Sequence, residues 1–336
     1  MPDSDPDLVD VPGAPDIPGL VFRRYRGDED LPTLVGVFNA AAETDGLDWL
    51  VTVDRLKVEY DNQPNFDPRK DVVIVEVDGA AVGFTYIYWF EETDGIFAAG
   101  HRERLVLEWS GKGIMRAQLA INEARAAELA AAHATGSKRM GTVTAESEVH
   151  RLRMLESVGF EKKRWYYEML RDLREPIEVP PMPEGLEVRL VDPDDHRRIF
   201  DAAWEAFRES WGFREMKEKD YQRLTQGPEF QPELWVVAWD GDVVAGSVFC
   251  WVLPEENQRF DRLWGYNDDI AVTKAYRRRG LAKAMTSRSL VTLRDLGMEY
   301  ANLGVDTQNP ADALGLYEAL GYRVRKTFFD LIRPMD

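Results

Sequence analysis

The sequence predicts an α/β fold, a mixed central sheet flanked by helices, made twice from one chain. Apolar runs of strand length at residues 72–77 and 81–90, and again at 234–239 and 243–253, are separated by Asp-Gly turns at Asp78–Gly79 and Asp240–Gly241, a hairpin signature. Each hairpin is followed by a further strand, a glycine-bearing turn and a long helical pattern. This order recurs at a period of about half the chain, across the proline-rich seam EPIEVPPMPEG at 175–185, whose prolines deny helix and inner strand alike.

In the first copy, 20–26 reads as a strand and 30–44 as a helix, with Leu31, Leu34, Val35 and Phe38 at helical spacing. A second helix at 53–60 and the hairpin lead to a strand near 96–107. The turn Ser110, Gly111, Lys112, Gly113, Ile114, Met115 and an alanine-rich helix at 117–132 follow. The second copy repeats a strand at 186–190, a helix at 196–211, the hairpin, a strand at 268–273, a basic turn, a helix at 281–296, a strand at 300–305 and a last helix. Residues 1–18 are acidic and punctuated by proline, without the basic start and apolar core of a signal peptide, and are expected to be a disordered tail. The expected domains are therefore 19–174 and 186–336, joined by the linker 175–185.

Composition narrows the function. With 44% hydrophobic and 30% charged residues over 336 positions, the chain is globular in character and long enough for two domains. It has no apolar run of about 18 residues, so no membrane span is expected. A formal charge of -18 argues against a nucleic-acid partner, whose phosphates require surplus Lys and Arg, and suits a cationic small molecule. The single cysteine, Cys250, excludes an internal disulfide and fits a reducing cytoplasm; among Val248, Phe249 and Trp251 it reads as packing. Four histidines lack ligand spacing, so no metal is expected.

The chemistry concentrates in the second copy. The strand at 268–273, the turn Arg277, Arg278, Arg279, Gly280 and the helix beginning Leu281, Ala282 form an anion-binding arrangement. The first helical amides lack internal partners and the macrodipole favours negative charge. Arg277, Gly280 and Ala282 fit R-x-x-G-x-A. Downstream stand Asn309 and then Leu316, Tyr317, Leu320, Gly321 and Tyr322. Together these blocks resemble the pyrophosphate loop and the N...LY-x-x-LG-[FY] segment of the GNAT-type acyl-CoA N-acyltransferases.

The resemblance implies two tandem GNAT domains, with acetyl-CoA as co-substrate and no metal. It implies that the amides of Arg278 to Ala282, Leu281 among them, hold the pyrophosphate while the guanidinium groups of Arg277, Arg278 and Arg279 add charge around it. Backbone groups of Ile270, Ala271 and Val272 would take the pantetheine arm. Asn309 would touch the same arm or cap the last helix. Tyr317, otherwise a core aromatic, would protonate the departing thiolate, for which a phenol of pKa near 10 is suited. A base must come from elsewhere, because Gly304 stands where some relatives carry a glutamate. Asp268 is the candidate, with Asp269 its alternative; simple alternation puts Asp268 on the face of Ile270 and Val272. Glu209, Trp211 and Phe213 would line the acceptor wall, although helical spacing of Trp204, Phe207 and Trp211 also fits core packing.

In the first copy Ser110 replaces Arg277, Met115 replaces Ala282 and Leu155 replaces Tyr317. It reads as a degenerate domain, and a tandem with a worn first copy resembles the mycothiol synthases. The expected activity is transfer of acetyl to a primary amine of a small molecule. A non-catalytic acyl-CoA-binding sensor is the rival, and a homodimer is compatible with either.

Overall fold

A computed structural model describes residues 7–133, 136–309 and 312–335. The chain divides into two compact units, Met1–Lys163 with Phe329–Asp336, and Arg164–Phe328. Both boundaries fall inside strands, not at the proline-rich seam.

The first unit runs β1 (Leu20–Arg24), α1 (Leu31–Thr44), α2 (Val53–Asn62), the single turn α3 (Pro68–Asp71), β2 (Val72–Val77), β3 (Ala80–Glu91), β4 (Phe97–Leu105), α4 (Ile114–Ala131), β5 (Lys138–Ala145), α5 (Val149–Ser157) and the start of β6 (Glu161–Asp172). Its sheet order is β1-β2-β3-β4-β5, followed by the end of the last strand of the chain. β4 and β5 run parallel, and β1, β2, β3 and β4 pair antiparallel in turn.

The second unit takes the rest of β6, then β7 (Glu187–Arg189), α6 (His196–Ala206), α7 (Glu218–Gln226), β8 (Val236–Asp240), β9 (Val243–Val252), α8 (Pro254–Arg259), β10 (Trp264–Val272), α9 (Leu281–Asp295), β11 (Tyr300–Asp306), α10 (Ala313–Ala319) and the first half of β12 (Arg323–Pro334). Its order is β12-β6-β11-β10-β9-β8-β7, with β10 and β11 the parallel pair.

Each sheet lies between two helical layers because its central strands are apolar on both faces. In β8, Val236 and Ala238 join the core beneath α9, while Trp235, Val237 and Trp239 join the core beneath α6. In β2, Val73, Val75 and Val77 pack toward α4, and Val72 and Ile74 toward α1 and α2.

Several expectations are corrected. Residues 7–18 are not a loose tail: the Val9 amide donates to Phe22 O (2.8 Å), the Arg24 amide donates to Asp7 O (2.8 Å), and Val11 is buried beside Phe22 and Ile114. Spaced apolar residues, Val9, Val11, Ala14 and Ile17, give this acidic stretch a face to bury; residues 1–6 lie outside the described residues. The 175–185 seam is held within the second unit, with Ile177 and Met182 against its core and Pro180 O accepting from Arg288 (2.9 Å). The helix expected over 196–211 stops at Ala206. The sequence reading missed β6 and β12, because their charged, half-exposed sequences hide the apolar alternation.

Candidate active site

In the second unit the parallel strands part. β10 and β11 pair only at Trp264↔Tyr300, Gly265↔Ala301 and Tyr266↔Asn302. Beyond that point β10 stays with β9 as far as Val272↔Gly246, and β11 stays with β6 as far as Asp306↔Tyr166. A cleft therefore opens at Asn267, walled by two strand edges whose backbone groups on that side lack a strand partner.

A bulge shapes one wall. Asp268 faces Phe249, and the next pair is Ala271↔Ser247, so β10 spends three residues where β9 spends two. Asp269 takes the left-handed conformation (φ 42°), and its amide donates to Asp268 Oδ1 at 3.0 Å. The extra residue reverses the alternation. Asp268 shares the Phe249 and Ala271 face toward α6, whereas Ile270 and Val272 pack on the α9 side. The expectation that Asp268 lies on the face of Ile270 and Val272 is thereby overturned.

Asp268 and Asp269 are exposed residues, yet surrounding protein desolvates their carboxylates. Burial raises the pKa of Asp268, and Glu229 adds to the rise against the opposing hydrogen bond from the Asp269 amide. Burial and then the Asp268 charge push Asp269 up to about 7, with Arg223 opposing. Arg223 and Glu229, from α7 and the loop after it, were missed because α7 offers only Tyr221 and Leu224 as apolar residues in a polar run.

The basic turn has the geometry of an anion cradle. Arg278 and Gly280 both have positive φ (65° and 79°), and α9 begins directly afterwards. Among the described residues no backbone carbonyl takes the amides of Arg278 through Ala282; the first such bond runs from the Ala284 amide to Gly280 O (3.1 Å). A Cβ built on Gly280 would meet nothing within 4 Å, so the turn is open in front of it.

Two of the three arginines have protein partners. Arg277 donates to Val272 O (3.1 Å), to Ala206 O (2.7 Å) and to Glu209, tying the end of α6 to the end of β10. Arg279 reaches Glu184 O at 2.8 Å. Glu209 pairs with Arg277 and with Lys274 Nζ (2.8 Å), which braces the turn. Trp211 and Phe213 lie in the loop beyond α6; Arg164 stacks 5.3 Å over Trp211, and Arg208 5.1 Å over Phe213.

Tyr317 on α10 is buried and meets Tyr322 edge-on at 5.9 Å. Burial, then the charge of Asp268, raises its pKa, so it remains a phenol throughout the neutral range. Tyr322 OH accepts from Asn267 Nδ2 (2.9 Å), and Asn267 Oδ1 accepts from the Cys250 thiol (3.3 Å). Burial pushes that thiol up to about 12, which leaves it without nucleophilic character. Asn309 does not cap the last helix: Asp312 holds that position, and the Asn309 carbonyl accepts its amide at 3.1 Å. Among the described residues no group of three or more His, Cys, Asp or Glu could hold a metal ion, and no helix is long and apolar enough to cross a membrane.

The first unit keeps the turn and changes the cleft. Gly111 and Gly113 take positive φ (75° and 89°), and the Ala117 amide donates to Gly113 O at 3.2 Å. A Cβ on Gly113 would meet Pro15 of the N-terminal stretch at 3.5 Å. β4 and β5 part after Gly100↔Gly141, but charged side chains fill the gap. Glu103 contacts His101 Nδ1 (2.7 Å), Asn122 (2.8 Å) and Arg151 (3.1 Å), while Arg151 also donates to Thr142 and Thr144 (2.6 Å). Burial would raise the pKa of Glu103; His101 and Arg151 overcome it and hold the group ionised.

Residues 196–322 match the acetyltransferase (GNAT) family model. A mycothiol acetyltransferase of Geodermatophilus obscurus is 26% identical over 302 residues, covering 86% of this chain and 89% of that one. A mycothiol acetyltransferase of Thermobispora bispora is 29% identical over 177 residues, covering 51% of this chain and 57% of its own length. Among solved structures, a GCN5-related N-acetyltransferase from Sphaerobacter thermophilus superposes with a TM-score of 0.70 at 20% identity, over 96% of both chains.

Proposed function

We propose that this chain, whose residues 196–322 belong to the acetyltransferase (GNAT) family, uses its second unit to move acetyl from acetyl-CoA to an amine of a small molecule. The observation that carries the reading is a turn of amides without acceptors at Arg278–Ala282, opening onto strands that part at Asn267. A diphosphate fits that turn because oriented N–H groups and the α9 dipole meet its charge without a side chain in the way. The pantetheine arm then lies along the β10 edge at Ile270, Ala271 and Val272. Arg277 acts by holding the turn, and Arg278, exposed on the turn, supplies the mobile positive charge.

An ammonium must lose a proton before it attacks a thioester. The bulged pair Asp268 and Asp269 faces the acceptor side and takes that proton, Asp269 being tuned near neutrality. The amine nitrogen bonds to the acetyl carbon, the carbon–sulfur bond breaks, and Tyr317 gives its proton to the sulfur. Asp268, Asp269 and Glu229 give the acceptor side a negative field that suits a cationic amine. Similarity to two mycothiol acetyltransferases makes a mycothiol-type amine the first acceptor to try.

The first unit is the degenerate copy and binds no CoA. Calorimetry of the full chain with acetyl-CoA is expected to give one site per chain; two equivalent sites would refute the assignment. Release of free thiol from acetyl-CoA that depends on an added amine supports the enzyme, whereas binding without any acceptor-dependent release would make the second unit a sensor.

A further inference from the structure

The cleft has a closed end built from polar side chains with no role in the steps above. Asn267 is the first residue of β10 beyond the last parallel pair, so it stands where the two strands separate. It is 1% exposed, and Tyr322 and Cys250 are both 0% exposed. The three form a satisfied chain: thiol to amide oxygen at 3.3 Å, and amide nitrogen to phenol oxygen at 2.9 Å. Tyr317 packs edge-on against Tyr322 beside it. The bulge adds a residue without advance, so Val272 to Asn267 spans the four steps from Gly246 to Cys250, roughly 13 Å, a run along which an extended pantetheine arm can lie. An acyl group carried on that arm thus ends against this wall.

We propose that the hydrogen-bonded pair Asn267 and Tyr322, backed by Cys250, is the floor of the acyl pocket and confines the donor to acyl groups of two or three carbons. The inference rests on the reading of the second unit as an acyl-CoA site. The floor is stiff for a physical reason. Pushing Asn267 aside to admit more methylenes would strand a buried amide and a buried phenol, each at the full cost of an unmade buried hydrogen bond. Each methylene that a longer chain buries returns less than that, so the first few cannot open the wall.

The test is calorimetry of the full chain with CoA, acetyl-CoA, propionyl-CoA and hexanoyl-CoA. Acetyl-CoA and propionyl-CoA are expected to bind within about threefold of CoA, and hexanoyl-CoA at least about tenfold more weakly. Hexanoyl-CoA binding as tightly as acetyl-CoA overturns the floor and leaves the acetyltransferase reading standing. Failure of CoA itself to bind overturns both. Asn267→Ala, checked for folding by circular dichroism, is expected to bring hexanoyl-CoA within about threefold of acetyl-CoA; a folded variant that keeps the wild-type ratio overturns the assignment. Should that variant not fold, the wild-type series decides.

Discussion

The turns at Gly113 and Gly280 have nearly the same backbone and opposite prospects. Each has two left-handed residues three positions apart inclusive, a first helical bond four residues on, and a long helix behind it. What separates them is the cleft beyond. In the second unit the parted strands carry the apolar side chains of Ile270, Leu303 and Val305. In the first, Glu103, Thr142 and Thr144 stand at the matching places and are cross-linked by Arg151. Backbone geometry persists because two left-handed positions and a helix start suffice to specify it, whereas a binding cleft must also stay unfilled.

The sharpest way to break this contrast is at the two glycines. Gly280→Glu is expected to weaken acetyl-CoA binding by at least about 100-fold, since a side chain and a carboxylate would enter a turn that otherwise takes a diphosphate. Gly113→Glu should leave affinity within about twofold, and calorimetry on both variants makes the comparison. Equal losses would show that both turns bind the nucleotide. Tyr317→Phe comes next: kcat should fall about 100-fold with KM little changed, measured by thiol release, because only proton donation is removed.

Asp269→Asn sharpens the account of the acceptor side. In the wild type the ionised carboxylate is the active form, so rate should climb as pH rises through about 7 and fall below it. The variant should lose about tenfold at pH 8 and flatten the profile. A profile unchanged by the substitution would remove Asp269 from the chemistry.

The smallest effect lies in the first unit. Asp45 borders its residual polar recess, and burial followed by the Glu148 charge raises its pKa to about 6. Its folded pKa exceeds the ordinary value, so the folded state takes up a proton between pH 3.8 and about 6, and ionisation costs stability as pH rises across that window. Asp45→Asn should therefore stabilise the chain by about 1 to 2 kcal/mol above pH 6 and have little effect below pH 4, read from denaturant midpoints.

These contrasts also explain what could be read from sequence. The Gly280 turn was legible because its signal is local: left-handed positions, a preceding strand and a helix start lie within a dozen residues. Tyr317 was legible for the same reason, through its Leu-Gly neighbours. The bulge at Asp269 was not, since no glycine or proline marks it and period-2 counting assigns the wrong face past it. The bracing contacts of Arg277 were not legible, because its three partners are Val272, Ala206 and Glu209, two of them far upstream. The Glu103 and Arg151 contact joins residues 48 apart, and nothing in the local pattern of either announces it. The packing of 7–18 was hidden by a composition that resembles disorder while carrying a spaced apolar face.

Because the unit that begins the chain also requires Phe329–Asp336, it cannot complete its sheet while the polypeptide is still being made. The edge of β5 stays uncovered until the end of β12 has emerged from the ribosome. A gene cut at the proline seam would therefore deprive each half of strand residues that the other half encodes.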